Sequence, residues 1–486
     1  MIASEGGAMA LQWTAEQILA LSTNAIALKR GKALAHTSQW PVLGSQGQTV
    51  WGECQTYQKK PYRTIIDLRG PAFCCSCLSG QLPCKHAIGL FLLLTEQPTT
   101  EQSPFDCGKL PAWGAKWLEG RAQAAMQTQD GKNQLADDPA AVAAQTQKRL
   151  QRLQKRSHNV EAGITDLEQW LQDIIRAGLA ELPARPYQFW DSAAARLVDA
   201  QAPGLASRVR ALAGIPHSGR GWPECMLKAL GQLYLLVQAY RRIETLSPLL
   251  QAEVRTQVGF TQTKETLQQL ADVPGSQVAS QVDTWQVLGK IVTAEDALKT
   301  QRVWLWGMQH QRMALVLSFA HGRRQSLDSS LVPGACVRGK LIFYPGTGVQ
   351  RAFVASRQAA EVQHRTGIGH VRIEDAIAQY ASSLTANPWQ MRYPLALSSI
   401  FFRYESAQWW VQDAAGDRLP LSRTFAQGWE LLSLSGGRSL SIFGEWNGTS
   451  LQPLSVWSEK KFLALQTPLR SSTLGNSAAS NGRRMR

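Results

Sequence analysis

Three cysteines and one histidine lie close together in the sequence, at spacings that suit metal binding. One residue separates Cys75 from Cys77, and Cys84 and His86 follow after six more residues with the same separation. A tetrahedral zinc site takes thiolate or imidazole ligands, and a structural site takes all four of them from the protein. The spacing therefore predicts one closed Zn2+ site, with no position left for a catalytic water.

The first two ligands require a strand. In the extended stretch of residues 72–77, side chains two apart point to the same face, so Cys75 and Cys77 lie together and Cys74 points to the opposite one. Two alternatives remain for Cys74: it could be a spare ligand, or it could form a redox-active pair with Cys75. Reduced cytosolic thiols favour metal binding over disulfides.

The other two ligands require the start of a helix. Pro83 suits the first turn of a helix, and the apolar run of residues 87–94 continues the helical pattern. Cys84 and His86 then lie at the beginning of that helix. A strand pair and a helix start are predicted to close the site.

The Cys-x-Cys and Cys-x-His pairs resemble the SWIM zinc finger, a module of bacterial, plant and animal proteins. The resemblance covers about residues 50–94, including Trp51–Cys54 and Ala72–Phe73. It implies a small ββα unit, and it is compatible with both DNA binding and protein interaction. Cys75, Cys77, Cys84 and His86 match the ligand positions of the module.

A second resemblance lies further along the chain. Arg185–Trp190 and Val198–Gly204 are similar to the helical region of bacterial SWIM proteins, which are often encoded beside MoxR-type ATPases and von Willebrand A-domain proteins. This resemblance implies a helical interaction domain. It also implies those two classes of protein as partners.

The chain is basic, with a net charge of +15. Residues 251–486 contribute much of it, with 25 Lys/Arg against 16 Asp/Glu. Such a balance favours a polyanionic partner, although solvated surfaces also carry it. Two basic clusters, Lys29–Lys32 and Lys59–Lys60, precede the predicted ligands closely in sequence.

Cations and aromatic residues alternate around the predicted finger, a mixture that suits phosphate contacts and stacking on bases. The alternative is that the aromatic residues fill the core of the finger and that the cations are simply solvated. The candidate nucleic-acid contacts are Lys59, Lys60, Arg63, Arg69 and Lys85, interleaved with Trp51, Tyr57, Tyr62 and Phe73.

The periodicity predicts an α+β multidomain chain, with a ββα finger, a helical middle region and a largely β C-terminal region. In the helical region, two core faces are predicted: one with Ile164, Leu167, Leu171, Ile174 and Ile175, and a later one with Leu227, Leu230, Tyr234 and Val237. Pro345–Gly348 is predicted to form a hairpin turn. The predicted domains are 1–97 with the finger and an N-terminal helix, from Thr14 to about Lys29, that packs near it, 98–147 as linker or polar helix, 148–284 helical, 285–468 mainly β, and 469–486 as a disordered basic tail.

We expect no enzymatic activity, because the remaining histidines and acids form no recognisable catalytic constellation. The longest apolar run, residues 87–94, is far too short to span a bilayer, so we expect a cytoplasmic protein with no membrane contact. Our leading hypothesis is a SWIM-finger protein that binds nucleic acid or protein through a structural zinc site. The alternative is a protein adaptor for a MoxR-type ATPase and a von Willebrand A-domain partner, without nucleic-acid binding.

Overall fold

We describe the protein from a computed structural model. The structure describes residues 15–19, 21, 25–55, 60–68, 71–77, 79, 82–95, 105, 109–130, 139–295, 298–321, 327–328, 330–349, 351–361, 368–458 and 462–465. The predicted basic tail, residues 469–486, lies outside these described residues.

Three helices and an antiparallel four-stranded sheet form the N-terminal region. The sheet follows chain order, and each strand pairs with the next. The last two strands and the helix after them make the predicted ββα unit, and two earlier strands extend its sheet. The elements are α1 (Ala15–Leu19), α2 (Ala25–Ala33), β1 (Val42–Gln46), β2 (Thr49–Cys54), β3 (Tyr62–Asp67), β4 (Ala72–Cys75) and α3 (Lys85–Thr95).

Helices α2 and α3 cross at a pair of glycines. A Cβ atom on Gly31 would lie 2.6 Å from Ile88 Cγ2 and 3.3 Å from the carbonyl oxygen of Lys85. A Cβ atom on Gly89 would lie 2.8 Å from Leu34 Cβ and 3.2 Å from the carbonyl oxygen of Gly31. The missing side chains therefore let the two helix backbones approach closely.

The core of this region is built largely on α3, whose residues from His86 to Leu93 are all buried. Such a continuously apolar helix must be covered on every side. The sheet, α1 and α2 cover it, and two residues from far along the chain, Val332 and Ala335, complete the same core.

Between the finger and the β-rich region, the described residues form seven α-helices. Of the face predicted on α5, Ile164, Leu167, Leu171 and Ile174 are buried in the core that α5 to α9 share, but Ile175 is 50% exposed and its prediction is wrong. The helices are α4 (Ala112–Asp130), α5 (Pro139–Ala177), α6 (Tyr187–Asp199), α7 (Pro203–Leu212), α8 (Trp222–Arg241), α9 (Pro248–Val258) and α10 (Lys264–Leu270).

One prediction for α8 is wrong in part. Leu230 and Val237 are buried, but Leu227 and Tyr234 are 57% and 42% exposed. Apolar residues cover a wider part of the surface of α8 than the part that is buried. The buried part includes Leu233, and Leu227 and Tyr234 face solvent. Periodicity gives the spacing of a face but not its rotation towards the neighbouring helices.

The β-rich region begins with a closed five-stranded barrel of order β5-β6-β7-β9-β8. All neighbouring strands are antiparallel except β7 and β9, which run parallel. The predicted turn at Pro345–Gly348 joins β8 to β9. The strands are β5 (Ser280–Glu295), β6 (Leu298–Gly307), β7 (Arg312–His321), β8 (Cys336–Phe343) and β9 (Arg351–Glu361).

A six-stranded antiparallel sheet of order β12-β11-β10-β13-β14-β15 packs on the barrel. Phe443 and Leu454 from this sheet share a buried cluster with Trp304 of β6. The elements are α11 (Ile373–Ala386), β10 (Tyr393–Glu405), β11 (Gln408–Gln412), β12 (Arg418–Pro420), α12 (Gly428–Ser435), β13 (Leu440–Trp446), β14 (Leu451–Trp457) and β15 (Phe462–Ala464).

The predicted α+β class is confirmed, with the Cys/His cluster in a β region near the N-terminus, a helical middle and a β-rich C-terminal region. The structure shows helix over Ala112–Asp130, within the segment expected to be a linker or polar helix. Among the described residues, none of the helices combines the length and apolar character that crossing a membrane requires.

Candidate metal centre

The hairpin of β3 and β4 positions the first two cysteines. Cys75 ends β4 opposite Thr64, whose hydroxyl lies 3.2 Å from Cys75 Sγ. Beyond it, Ser76 exchanges two hydrogen bonds with the backbone of Arg63: its N–H donates to the carbonyl oxygen and its side-chain oxygen accepts from the N–H. These bonds hold the chain as it leaves the sheet and set the position of Cys77.

The start of α3 positions the other two ligands. Cys84 directly precedes the helix and its carbonyl oxygen accepts the N–H of Ile88, as the first intrahelical bond requires. His86 is the second helical residue. Pro83, which we expected in the first turn, instead lies before the helix and follows a cis peptide bond.

The four predicted ligands come together. One ligand atom from each of Cys75, Cys77, Cys84 and His86 lies within 4.8 Å of the other three, in the part of the chain that the structure describes. Cys84 and His86 are buried, and Cys75 and Cys77 are partly exposed. The set is complete for a tetrahedral site.

Its dimensions fit zinc. Tetrahedral Zn–S and Zn–N bonds of about 2.3 and 2.0 Å place sulfur and nitrogen about 3.6 Å apart. Cys75 Sγ and His86 Nδ1 are 3.6 Å apart. The other ring nitrogen, Nε2, is buried and has no hydrogen-bond partner among the described residues. Tyr62 packs on the ring at 4.7 Å between centroids and holds its orientation.

The sulfur atoms influence one another's protonation. Hydrogen bonds from Cys75 and then Cys84 lower the pKa of Cys77, whose thiolate they stabilise. The same neighbours, Cys75 first and then Cys77, raise the pKa of Cys84, and burial raises it further. The close approach of the three sulfur atoms thus favours the thiolate of Cys77 and opposes the thiolate of Cys84. A bound dication removes that opposition because it attracts every thiolate.

Two nearby cysteines lie outside the set. Cys74 pairs with Ile65 in the hairpin, and burial raises its pKa, which makes it a weaker nucleophile than a redox-active thiol requires. Cys54 is fully buried, and its burial, with the nearby Cys75, raises its pKa to about 11. Cys54 therefore remains a protonated thiol near neutral pH.

Three of the five predicted nucleic-acid residues lie in the part of the chain that the structure describes. Lys59 and Arg69 lie outside the described residues. Lys60 is exposed, and Arg63 is ion-paired with Glu53 at 3.1 Å. Lys85 is partly exposed at the start of α3, beside the ligands.

The interleaved aromatic residues serve mainly as core. Trp51 and Phe73 are 3% and 7% exposed, so their faces are not open to bases. Tyr62 covers the histidine ligand, and Tyr57 lies outside the described residues. Helix α2 belongs to the N-terminal helical segment that the sequence predicts near the finger. It contacts the ligand-bearing helix α3, and its cations Lys29, Arg30 and Lys32 are exposed.

Comparison with known proteins bears on the helical region. Residues 155–258 match the family model of the SWIM-associated four-helix bundle domain. No curated protein and no solved structure matches the chain. The matched segment runs from the second half of α5 to the end of α9, and it contains both stretches in which the sequence resembles bacterial SWIM proteins.

A SWIM-associated helical domain thus follows a cluster of three cysteines and one histidine that can hold a metal ion. The two features are independent, since one is a sequence match and the other is a spatial arrangement. Together they confirm the resemblance drawn from the sequence, and the chain is consistent with a SWIM-type zinc finger protein.

Proposed function

We propose that this chain is a zinc-stabilised binding protein that contacts nucleic acid through a basic surface beside the zinc site. The observation that carries the proposal is the crossing of α2 on α3, which packs a helix with three exposed cations beside the helix that starts at Lys85. We call Lys29, Arg30, Lys32 and Lys85 the finger surface.

The zinc has a structural role in this proposal. Four protein ligands leave no position for a water or a substrate, so the ion joins the β3–β4 hairpin to α3. We therefore propose no enzymatic activity at this site. A cytoplasmic location suits it, since the thiols there stay reduced.

The finger surface is suited to phosphate groups. Lys29, Arg30 and Lys32 are exposed, and none of the four cations has an ion-pair partner among the described residues. The acids closest in sequence to the ligands are engaged elsewhere: Glu53 pairs with Arg63, and Asp67 is buried. Uncompensated cations on packed helices are the usual source of sequence-independent affinity for nucleic acid.

The zinc site is tested by its metal content. His86→Ala removes one of four ligands and should lower the zinc content from one ion per chain, with increased protease cleavage in the finger. Cys54→Ser is the matched control, because it changes a nearby buried cysteine outside the ligand set and should keep its zinc. Unchanged zinc and protease resistance in His86→Ala would refute the ligand assignment.

The finger surface is tested by salt dependence. Four phosphate contacts on duplex DNA predict a slope of about −3.6 in log K against log salt, or a loss of roughly 100-fold between about 50 and 200 mM. Lys32→Gln should reduce this slope by about 0.9 in fluorescence anisotropy. Lys228→Gln, on α8, is the control. Equal slopes for Lys32→Gln and the wild type would contradict the proposal.

A second function is favoured by a different observation. On α8, within the matched helical domain, Leu227, Tyr234 and Leu235 are exposed at 57%, 42% and 42%. Exposed apolar side chains that lie together on a helix are typical of protein interaction sites. We propose the adaptor role as the alternative, with a MoxR-type ATPase or a von Willebrand A-domain protein as the partner that the family resemblance implies.

The adaptor role predicts a different response. Binding of a purified MoxR-type ATPase should depend little on salt and should weaken when Leu227 or Tyr234 is replaced by serine. Lys32→Gln should leave that binding unchanged. Calorimetry that detects no binding to either partner class, together with steep salt-dependent DNA binding, would reject the adaptor in favour of the finger surface.

A further inference from the structure

The barrel has a recognisable strand topology. Numbered from its own first strand, its order is 1-2-3-5-4, closed by pairing of the first and fourth strands, with the third and fifth parallel. This is the arrangement of the OB-fold, a five-stranded Greek-key barrel that often binds oligonucleotides or oligosaccharides on its second and third strands. A fold does not decide function by itself, so the residues on that face must be considered.

One half of the face is covered by the protein itself. The outward side chain of Trp304 on β6 packs against Phe443 of the six-stranded sheet, and Met313 and Leu315 on β7 pack on the same buried cluster. At the other end of β7 the face is open, and Phe319 is 51% exposed. The Phe319 end is therefore the part of this face that is accessible to a ligand.

A cation lies between two aromatic rings at that end. The guanidinium carbon of Arg351 is 5.7 Å from the ring of Phe319 and 4.4 Å from that of Tyr344. Arg351 has no ion-pair partner among the described residues, and its Nε is buried without a hydrogen bond. Exposed Lys264 extends the row, with its ammonium 5.8 Å from the ring of Phe353. We call Phe319, Tyr344, Arg351 and Lys264 the barrel patch.

The chain segment that carries Phe319, Tyr344 and Arg351 is rich in basic residues. Residues 298–361 hold nine Lys/Arg against two Asp/Glu. A cavity of about 1020 Å³ adjoins the patch, since its lining residues Thr263 and Pro345 are the chain neighbours of Lys264 and Tyr344. Three arginines and two glutamates of the helical region also line this cavity, so a chain of phosphates could continue into it.

We propose that the barrel patch binds single-stranded nucleic acid, with Phe319 and Tyr344 stacking on bases and Arg351 and Lys264 contacting phosphates. Alternating aromatic faces and cations are the means by which barrels of this topology hold unpaired strands without reading their sequence. Arg351 is already oriented by the two rings, so little of its freedom is lost on binding. The site is separate from the finger surface, and none of its residues is a zinc ligand.

The test uses the full zinc-loaded chain and an oligothymidylate of about 16 nucleotides, which suits the site size of such barrels. In fluorescence anisotropy, Phe319→Ala should weaken binding by about 5- to 100-fold, the usual effect of losing one stacked base. Lys264→Gln should lower the salt slope by about 0.7. Tyr187→Ala is the matched control, because Tyr187 is 62% exposed on α6, outside the barrel.

The results separate this site from the finger surface. Lys32→Gln should alter duplex binding and leave oligothymidylate binding through the barrel largely intact, while Phe319→Ala should do the reverse. Oligothymidylate affinity that is unchanged in both Phe319→Ala and Lys264→Gln would overturn the proposal. Equal weakening in Tyr187→Ala, or binding of a neutral oligosaccharide in place of the oligonucleotide, would overturn it as well.

Discussion

Replacing Gly89 by alanine tests how tightly α2 is held on the ligand-bearing helix. The added Cβ would lie 2.8 Å from Leu34 Cβ and 3.2 Å from the carbonyl oxygen of Gly31. The close atoms are a helix backbone and a Cβ, not the end of a flexible side chain. The helices must therefore move apart to accommodate one methyl group.

The magnitude follows from two opposing effects. Overpacking a tight contact costs roughly 1–3 kcal/mol, while glycine to alanine within a helix contributes about 1 kcal/mol of stability. We expect Gly89→Ala to destabilise the local structure by about 1 kcal/mol, which corresponds to roughly fivefold more frequent opening. Gly231→Ala on α8 is the matched control. A Cβ there meets nothing within 4 Å, so only the stabilising effect remains.

Hydrogen exchange is the appropriate assay, because a chain with several cores does not unfold in one step. Amides of residues 85–95 should exchange about fivefold faster in Gly89→Ala. Amides of residues 222–241 should exchange more slowly in Gly231→Ala. If the amides of α3 exchange no faster in Gly89→Ala than in the wild type, α2 and α3 are not in close contact. The position of the finger surface would then lose its basis.

Three further predictions concern buried groups. Burial lowers the pKa of Lys290 from 10.5 to about 8, so the charged side chain opposes folding below pH 8. Lys290→Met should therefore raise the thermal midpoint at pH 7. The difference in thermal midpoint between Lys290→Met and the wild type should shrink as the pH rises from about 8 to 10.5. Glu445 is 5% exposed and accepts hydrogen bonds from Arg302 and Trp304, so Glu445→Ala should cost about 3–5 kcal/mol in denaturant unfolding of the β region. Trp190→Ala should cost a similar amount, about 3–5 kcal/mol, in the helical domain, measured by loss of far-ultraviolet dichroism on heating.

The zinc ligands could be predicted because they lie close together in the sequence. Cys75 and Cys77 share a strand end, and Cys84 and His86 share a helix start, so short-range geometry suffices to converge four side chains. The N-terminal helix was predicted near the finger, but its exact contact was not, because the approach of Gly31 to α3 joins segments more than fifty residues apart. Composition alone suggested nucleic-acid contacts around β2 and β3, where the aromatic residues turned out to be core.

The β region also has features that the sequence predicts and features that it does not. Individual strands and the turn at Pro345–Gly348 follow from alternation and turn residues, which act over a few positions. The barrel depends on long-range pairing, above all the parallel contact of Leu315 with Arg351, for which the sequence has no local signal. The exposed position of Phe319 and the sandwiched position of Arg351 become visible only when that pairing is known.

The finger and the barrel are physically connected through two adjacent residues. Leu331 is buried in the interior of the barrel, and Val332 is buried in the core that contains α3. Because one short segment fills both cores, loss of zinc should loosen the barrel as well as the finger. Removing zinc with a chelator should therefore speed hydrogen exchange in residues 336–343, and Val332→Ala should weaken this response. Unchanged exchange in those residues would mean that the two cores respond independently.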